Sequence, residues 1–207
     1  MENEIVLERQ QKGISRGSLI IYMVAAAILA LAVNYMIIRP FSGSGGLSLP
    51  QTVVAEKQFV SERDNFSLRY PAGWSPLSEG ELSKYNGAFA FAVERNDPRV
   101  FFGLRVQTID SKGVGLNQLA QGLDKEIVKN FQDAKKNDQE IVQLKSGRRA
   151  LKYEYTFTSA SKTTVREQML IIPAGSKVYH LSVSADDKDF DNVRGDVDAL
   201  IQGFEIK

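Results

Sequence analysis

The sequence predicts an α+β domain, a mainly antiparallel sheet flanked by helices, that follows one N-terminal transmembrane helix. Three observations carry that prediction. A run of twenty residues near the N-terminus contains no charge. Further along, apolar residues alternate with polar ones in runs joined by connections of a few residues. In two other stretches the apolar spacing changes from two to three and four, the period of a helix. Links this short suit antiparallel neighbours, because parallel strands need crossovers of about a dozen residues or more.

The uncharged run, "LIIYMVAAAILALAVNYMII", covers Leu19 to Ile38. As a helix it spans roughly 30 Å, the thickness of a bilayer core. Ala30-Leu31-Ala32 fits a small-x-small cleavage pattern, but the apolar run continues to Arg39 and exceeds a normal signal core. The expectation is therefore an uncleaved anchor. Arg9, Lys12 and Arg16 precede it and only Arg39 follows closely, so the positive-inside rule places the N-terminus in the cytoplasm. Residues 1–18 are then a cytoplasmic segment, 19–38 the anchor in the lipid bilayer, 39–57 a linker and 58–207 an extracytoplasmic domain at the cell membrane. The linker holds "PFSGSGGLSLP", uncharged and rich in Gly and Ser, which acts as a flexible spacer.

Within the domain, Phe66, Leu68 and Tyr70 alternate as in a half-buried strand, which ends in "YPAGW". Pro71 has no N–H for a ladder, Gly73 is expected to permit the bend, and Trp74 is expected to pack back as an apolar lid. An aromatic ligand shelf at Tyr70 and Trp74 is the alternative. In "GAFAFAVE", Phe89, Phe91 and Val93 are expected on one face, and "NDP" at 96–98 marks a turn. "RVFFGLRVQTI" is apolar on both faces, with Val100, Phe102, Leu104 and Val106 opposite Phe101 and Ile109. That pattern predicts a central strand covered on two sides.

Leu116, Leu119, Leu123, Ile127 and Phe131 then form the stripe of an amphipathic helix. "EIVQLK", "RALKYEYTFT", "TTVREQMLII" and "KVYHLSVS" follow as strands joined by links short enough for hairpins. A last helix is expected to carry Phe190, Val193, Val197, Leu200, Ile201 and Phe204 on one stripe.

"FSLRYPAGW", "GRRALKYEYTFT", "KVYHLSVSA" and the closing "GFEI", in this order, resemble the PsbP-like family, named for an extrinsic subunit of photosystem II. The resemblance implies an α-β-α sandwich. It also implies an accessory function: family members in photosynthetic membranes assist assembly or ion retention at photosystem II. Others are lipoproteins or anchored proteins without an agreed activity. The N-terminal helix here departs from a lumenal transit signal and argues against a photosystem role.

The bulk composition narrows the chemistry. Lys and Arg number 26 against 25 Asp and Glu, so no net field exists to bind nucleic acid. The lack of cysteine excludes disulfides, thiolate catalysis, zinc-thiolate sites and lipoprotein anchoring. His180, the only histidine, has no G-x-S-x-G serine to activate and is read as a hydrogen-bonded strand residue. Asp187, Asp189 and Asp191 fall at the first, third and fifth places of a calcium-loop pattern, with Asp198 at the twelfth. Asn192 stands where that loop needs glycine, so these aspartates are read as capping the last helix and complementing its dipole. Lys135, Lys136, Lys145, Arg148, Arg149 and Lys152 are the densest basic group. They form either a solvated face or, at Lys145, Arg148, Arg149 and Lys152, a patch for anionic lipid or an acidic partner. The expected function is a non-enzymatic module, without cofactor, that binds or assists a membrane protein complex. The alternative is a small-ligand or calcium-binding module, including an oxygen-evolution role as in photosynthetic relatives.

Overall fold

A computed structural model describes residues 56–85, 88–108, 115–131 and 133–207. The expected anchor at 19–38, the linker before Glu56 and Ile109 lie outside the described residues. No described helix is long and apolar enough to cross a membrane.

Among the described residues, ten strands and three helices follow in the order β1 (Glu56–Ser61), β2 (Phe66–Pro71), β3 (Ser75–Pro76), α1 (Glu79–Ser83), β4 (Phe91–Asn96), β5 (Arg99–Thr108), α2 (Leu116–Asn130), β6 (Lys135–Gln143), β7 (Arg149–Thr158), β8 (Thr164–Ala174), β9 (Lys177–Asp186), α3 (Asp187–Gln202) and β10 (Phe204–Ile206). Seven of the strands form one sheet in the order β3-β4-β5-β9-β8-β7-β6, and β1-β2-β10 form a second. Every pairing is antiparallel, and short connections join β1 to β2, β4 to β5, and β6 through β9 in succession.

The large sheet separates two cores. On one face, α2 lays Leu119, Ala120, Leu123 and Ile127 over Leu151, Tyr153, Tyr155 and Phe157 of β7. On the other, α3 and the small sheet bury Phe66, Leu68, Phe190, Val193, Val197 and Leu200 against Phe102, Tyr179, Leu181 and Val183. β5 feeds both cores, Phe101 into the first and Val100, Phe102 and Leu104 into the second, as its two-faced pattern predicts.

The structure corrects four expectations. Phe89 does not share a face with Phe91 and Val93. β4 begins only at Phe91, and the Phe89 ring turns into the α2-side core, 5.3 Å from Phe101. Gly103 makes room for it, since a Cβ there would lie 2.3 Å from Phe89 Cε1. Phe204 is not on the last helix but opens β10. Gly203 ends α3 because a Cβ at that position would lie 2.4 Å from the Arg69 carbonyl oxygen, where β2 passes. β6 runs over Lys135–Gln143 rather than from Glu140 to Lys145. At the sheet border nearly all its residues are exposed, so no alternation marks "KKND" as strand. Finally, Gly73 has no left-handed φ and open space around its Cβ position, so the bend needs no glycine. The turn is closed instead by the Trp74 N–H donating to the Pro71 carbonyl at 3.0 Å.

Candidate functional site: a groove beside an open sheet edge

Antiparallel β6 and β7 carry Glu140, Val142 and Lys152 on the face that looks toward α3, and β8 adds Gln168 and Leu170. α3 stands over this face with Ile201 and Gln202, then turns at Gly203 into β10. The helix does not reach across to β6. The gap between them is a groove of about 670 Å³, within the range of small-molecule sites.

Its wall divides by chemistry. Val142, Leu144, Leu170, Ile201, Phe204 and Ile206 make the apolar part. The cations at its border are engaged by neighbours: Lys152 donates to Glu140 at 2.8 Å and lies 3.5 Å from Asp138, and Lys145 donates to Gln202 at 3.3 Å. Arg69 sits between Glu56 at 3.7 Å and Glu205 at 3.9 Å. The carboxylate of Glu140 raises the Lys152 pKa, so that ammonium stays charged and paired. One wall group is different. Gln168 is 2% exposed and its Nε2 has no hydrogen-bond partner.

Beside the groove, β6 ends the large sheet. Its nine residues pair with β7 alone among the described strands, with a register shift between Lys136 and Asp138. The opposite end of the same sheet is β3, only two residues long.

The residues singled out in the sequence are dispersed. Lys145 and Lys152 reach the groove, Arg148 and Arg149 lie exposed at the β6–β7 turn, and Lys135 and Lys136 lie at the far end of β6. Lys136 is bound to Asp124 of α2 at 3.0 Å, and the Tyr153 hydroxyl donates to the same carboxylate at 2.5 Å. Asp187 and Asp189 occupy the first turn of α3, where carboxylates suit the dipole, yet the N-cap residue Asp186 makes no capping bond with its side chain. Arg166 donates to Asp187 at 2.6 Å and to Asp191 at 3.0 Å, and Arg194 adds a 3.0 Å bond to Asp191. Those guanidinium groups hold the Asp191 carboxyl below its ordinary pKa. Among the described residues no cluster of three or more acidic or imidazole groups is placed to hold a metal.

Trp74 and Tyr70 are buried in the core, so neither is a ligand shelf. The indole packs under the Arg95 guanidinium, 5.8 Å from the ring centre. His180 is buried, but neither ring nitrogen has a hydrogen-bond partner, against the expectation of a bonded side chain. Burial first, and then the nearby Arg105 charge, push its pKa down to about 3. Glu167 was not anticipated. Buried in a strand that reads as apolar, it accepts from Ser184 Oγ at 3.3 Å, and burial lifts its pKa to about 7. The Tyr155 hydroxyl faces the same carboxyl without hydrogen-bond geometry to it.

The groove also escaped sequence reading. Its wall gathers β2, β6, β7, β8, α3 and β10, which lie far apart in the chain. "REQML" in β8 is the one signal, a glutamine inside a buried run.

This geometry defines an α+β domain with a lined groove. The chain belongs to the PsbP family, whose model matches residues 55–206. Its fold is similar to the solution structure of cyanobacterial PsbP (CyanoP) from Synechocystis sp. PCC 6803. That pair shares 14% identity with a TM-score of 0.57, covering 82% of this chain and 100% of the other. It is also similar to LpqN of Mycobacterium tuberculosis, described as involved in cell envelope biogenesis. There the identity is 16% and the TM-score 0.53, over 75% of this chain and 92% of that one. A Bacteroides thetaiotaomicron structure aligns at 16% identity and a TM-score of 0.52, over 73% of this chain and 48% of its own. At these identities the likeness is one of fold. No curated protein matches the sequence.

Proposed function

We propose that this chain is a membrane-tethered, non-enzymatic PsbP domain that binds and assists a membrane protein complex, and that it meets its partner along β6. The observation carrying this reading is the asymmetry of the large sheet, which closes at β3 with two residues and stays open at β6 with nine. An uncovered edge offers main-chain donors and acceptors to an added strand. The charged side chains of Lys135, Lys136, Asp138 and Glu140 discourage indiscriminate pairing there while leaving the main chain accessible. Anchoring through residues 19–38 would confine the domain to a thin layer on the outer side of the cell membrane, which raises its effective concentration near membrane partners.

A photo-crosslinking amino acid at Ile141, 37% exposed on β6, tests this in the full-length chain in native membranes, against a control at Val128, 67% exposed on α2. A membrane-protein adduct from position 141 and not from 128 is expected. Equal adducts from both, or none from either, would remove the docking reading.

A second reading, a small-ligand module, is favoured by the groove with its buried, unpartnered Gln168. The calcium version has less support, since Arg166 and Arg194 already engage Asp187 and Asp191.

A further inference from the structure

We infer that one end of the domain, where the β1–β2, β6–β7 and β8–β9 turns meet, docks on the anionic phospholipid headgroups of a bilayer. This rests on the tethered reading above and not on docking at β6.

The three turns are fastened together. Lys177 Nζ, at the start of β9, donates to the Arg63 carbonyl at 3.0 Å, and the Tyr179 hydroxyl donates to the Asp64 carbonyl at 2.9 Å. Arg148 acts electrostatically on that same hydroxyl, which sets the β6–β7 turn beside the other two. The β6–β7 turn is itself closed, its Leu144 N–H donating to the Arg148 carbonyl at 2.8 Å.

The cations gathered there are poorly matched. Arg148 and Arg149 are exposed and have no ion pair among the described residues. Lys145 bonds the neutral Gln202, and Lys177 bonds only a main-chain carbonyl. The carboxylates of the β1–β2 turn are already engaged, Asp64 with Arg63 at 2.9 Å and Glu62 with Lys207 at 3.2 Å. Asp198, which lines the groove with Lys145, is unpaired too, a single charge against four cations. Lys152 is not part of this set, because Glu140 and Asp138 hold it.

Geometry and tether together select the partner. Arg149 lies two residues before Leu151 and so shares its face toward α2, whereas Arg148 sits beside Tyr179 on the opposite side of the sheet. Cations spread over both sides of a sheet end suit a broad charged surface better than one phosphate in a pocket. β1 leads from Glu56 to this end, a distance of about 20 Å for its six residues. The seventeen residues between Ile38 and Glu56 have a contour of roughly 55 Å, so the tether leaves this end within reach of the bilayer. Each cation near an anionic membrane favours contact by roughly fivefold, which is weak alone and effective for a domain already confined there.

The test uses the full-length chain, which has no cysteine, with one introduced at Ser146 in the β6–β7 turn or at Ala160 in the β7–β8 turn at the far end. Each carries a fluorophore, and the chain is reconstituted in vesicles containing a headgroup-nitroxide lipid. The vesicles are phosphatidylcholine alone or with about a third phosphatidylglycerol. Quenching is expected at Ser146 and not at Ala160, only with phosphatidylglycerol, and should be lost in about 0.5 M salt. Arg148→Gln combined with Arg149→Gln should lower the docked-to-undocked ratio roughly thirtyfold. Equal quenching in both vesicles, or at both positions, would overturn the docking. Carbonate extraction separates the two readings. A chain that resists extraction with Ser146 unquenched would remove the docking and keep the tether. A chain extracted from both vesicles, yet quenched at Ser146 by phosphatidylglycerol, would remove the tether and keep the docking. Arginine-dependent binding to poly-L-glutamate, with no response to phosphatidylglycerol, would assign this end to an acidic polypeptide instead.

Discussion

Glu167 and His180 face the α2-side core from neighbouring strands, and burial drives their pKa values in opposite directions. Glu167 goes from 4.5 to about 7, so its proton stabilises the fold fully below pH 4.5, and that contribution is lost as pH rises toward 7. His180 goes from 6.5 to about 3, so its contribution is present above pH 6.5 and lost as pH falls toward 3. Between pH 4.5 and 6.5 the two slopes cancel. Urea unfolding should therefore give a stability plateau there, with a decline below it of about 1.4 kcal/mol per pH unit. Glu167→Gln should uncover the histidine slope, stability rising from pH 3 to 6.5, and His180→Leu the opposite slope from 4.5 to 7. An unchanged plateau in either variant would contradict this pairing. Gly103 poses a steric question at the same scale. Gly103→Ala sets a methyl against the Phe89 ring, so a loss of about 1–3 kcal/mol is expected, much of it recovered when Phe89→Leu is added. The sequence displays a glycine within a strand but not the ring that crosses it. Likewise "REQML" displays a glutamate without showing that it is buried.

Elements whose large apolar residues gather on one face were legible. Alternation in β7 and β9 and the three- and four-residue stripe of α2 each mark the apolar side chains that enter one core. Elements whose limits depend on a distant partner were not. α3 stops at Gln202 because β2 crosses Gly203, an approach made from well over a hundred residues away. The Arg69 N–H donates to the Gly203 carbonyl at 3.0 Å, so the crossing is bonded as well as close. Gly203→Ala therefore presses a methyl on main chain that cannot rotate away. It should cost roughly 2–3 kcal/mol, more than an exposed Gly→Ala change at Gly80, measured by thermal or urea unfolding. A loss no greater than at Gly80 would mean that β10 yields. β6 was half visible for the opposite reason: with nearly every side chain wet, nothing in "KKND" marks a face.

For the molecule, the family and the layered architecture could be read from ordered motifs, because each motif is a strand or turn that carries its own apolar spacing. The groove could not, being the space left between α3 and the strands it fails to cover. Both cores share the large sheet, which makes them one cooperative unit. Leu123→Ala under α2 and Leu200→Ala in α3 should each cost about 2–5 kcal/mol, with fluorescence and circular dichroism transitions coinciding in both. Separate transitions in either variant would show that the two faces melt independently.

The two-residue β3 opposite the nine-residue β6 bears on crowding. A sheet able to grow from both borders can stack copies without limit into a fibril. Here one border offers too little backbone to recruit another chain, so growth stops after a single addition at the other. Through the large sheet, strand addition between copies is therefore limited to a twofold pair joined at β6.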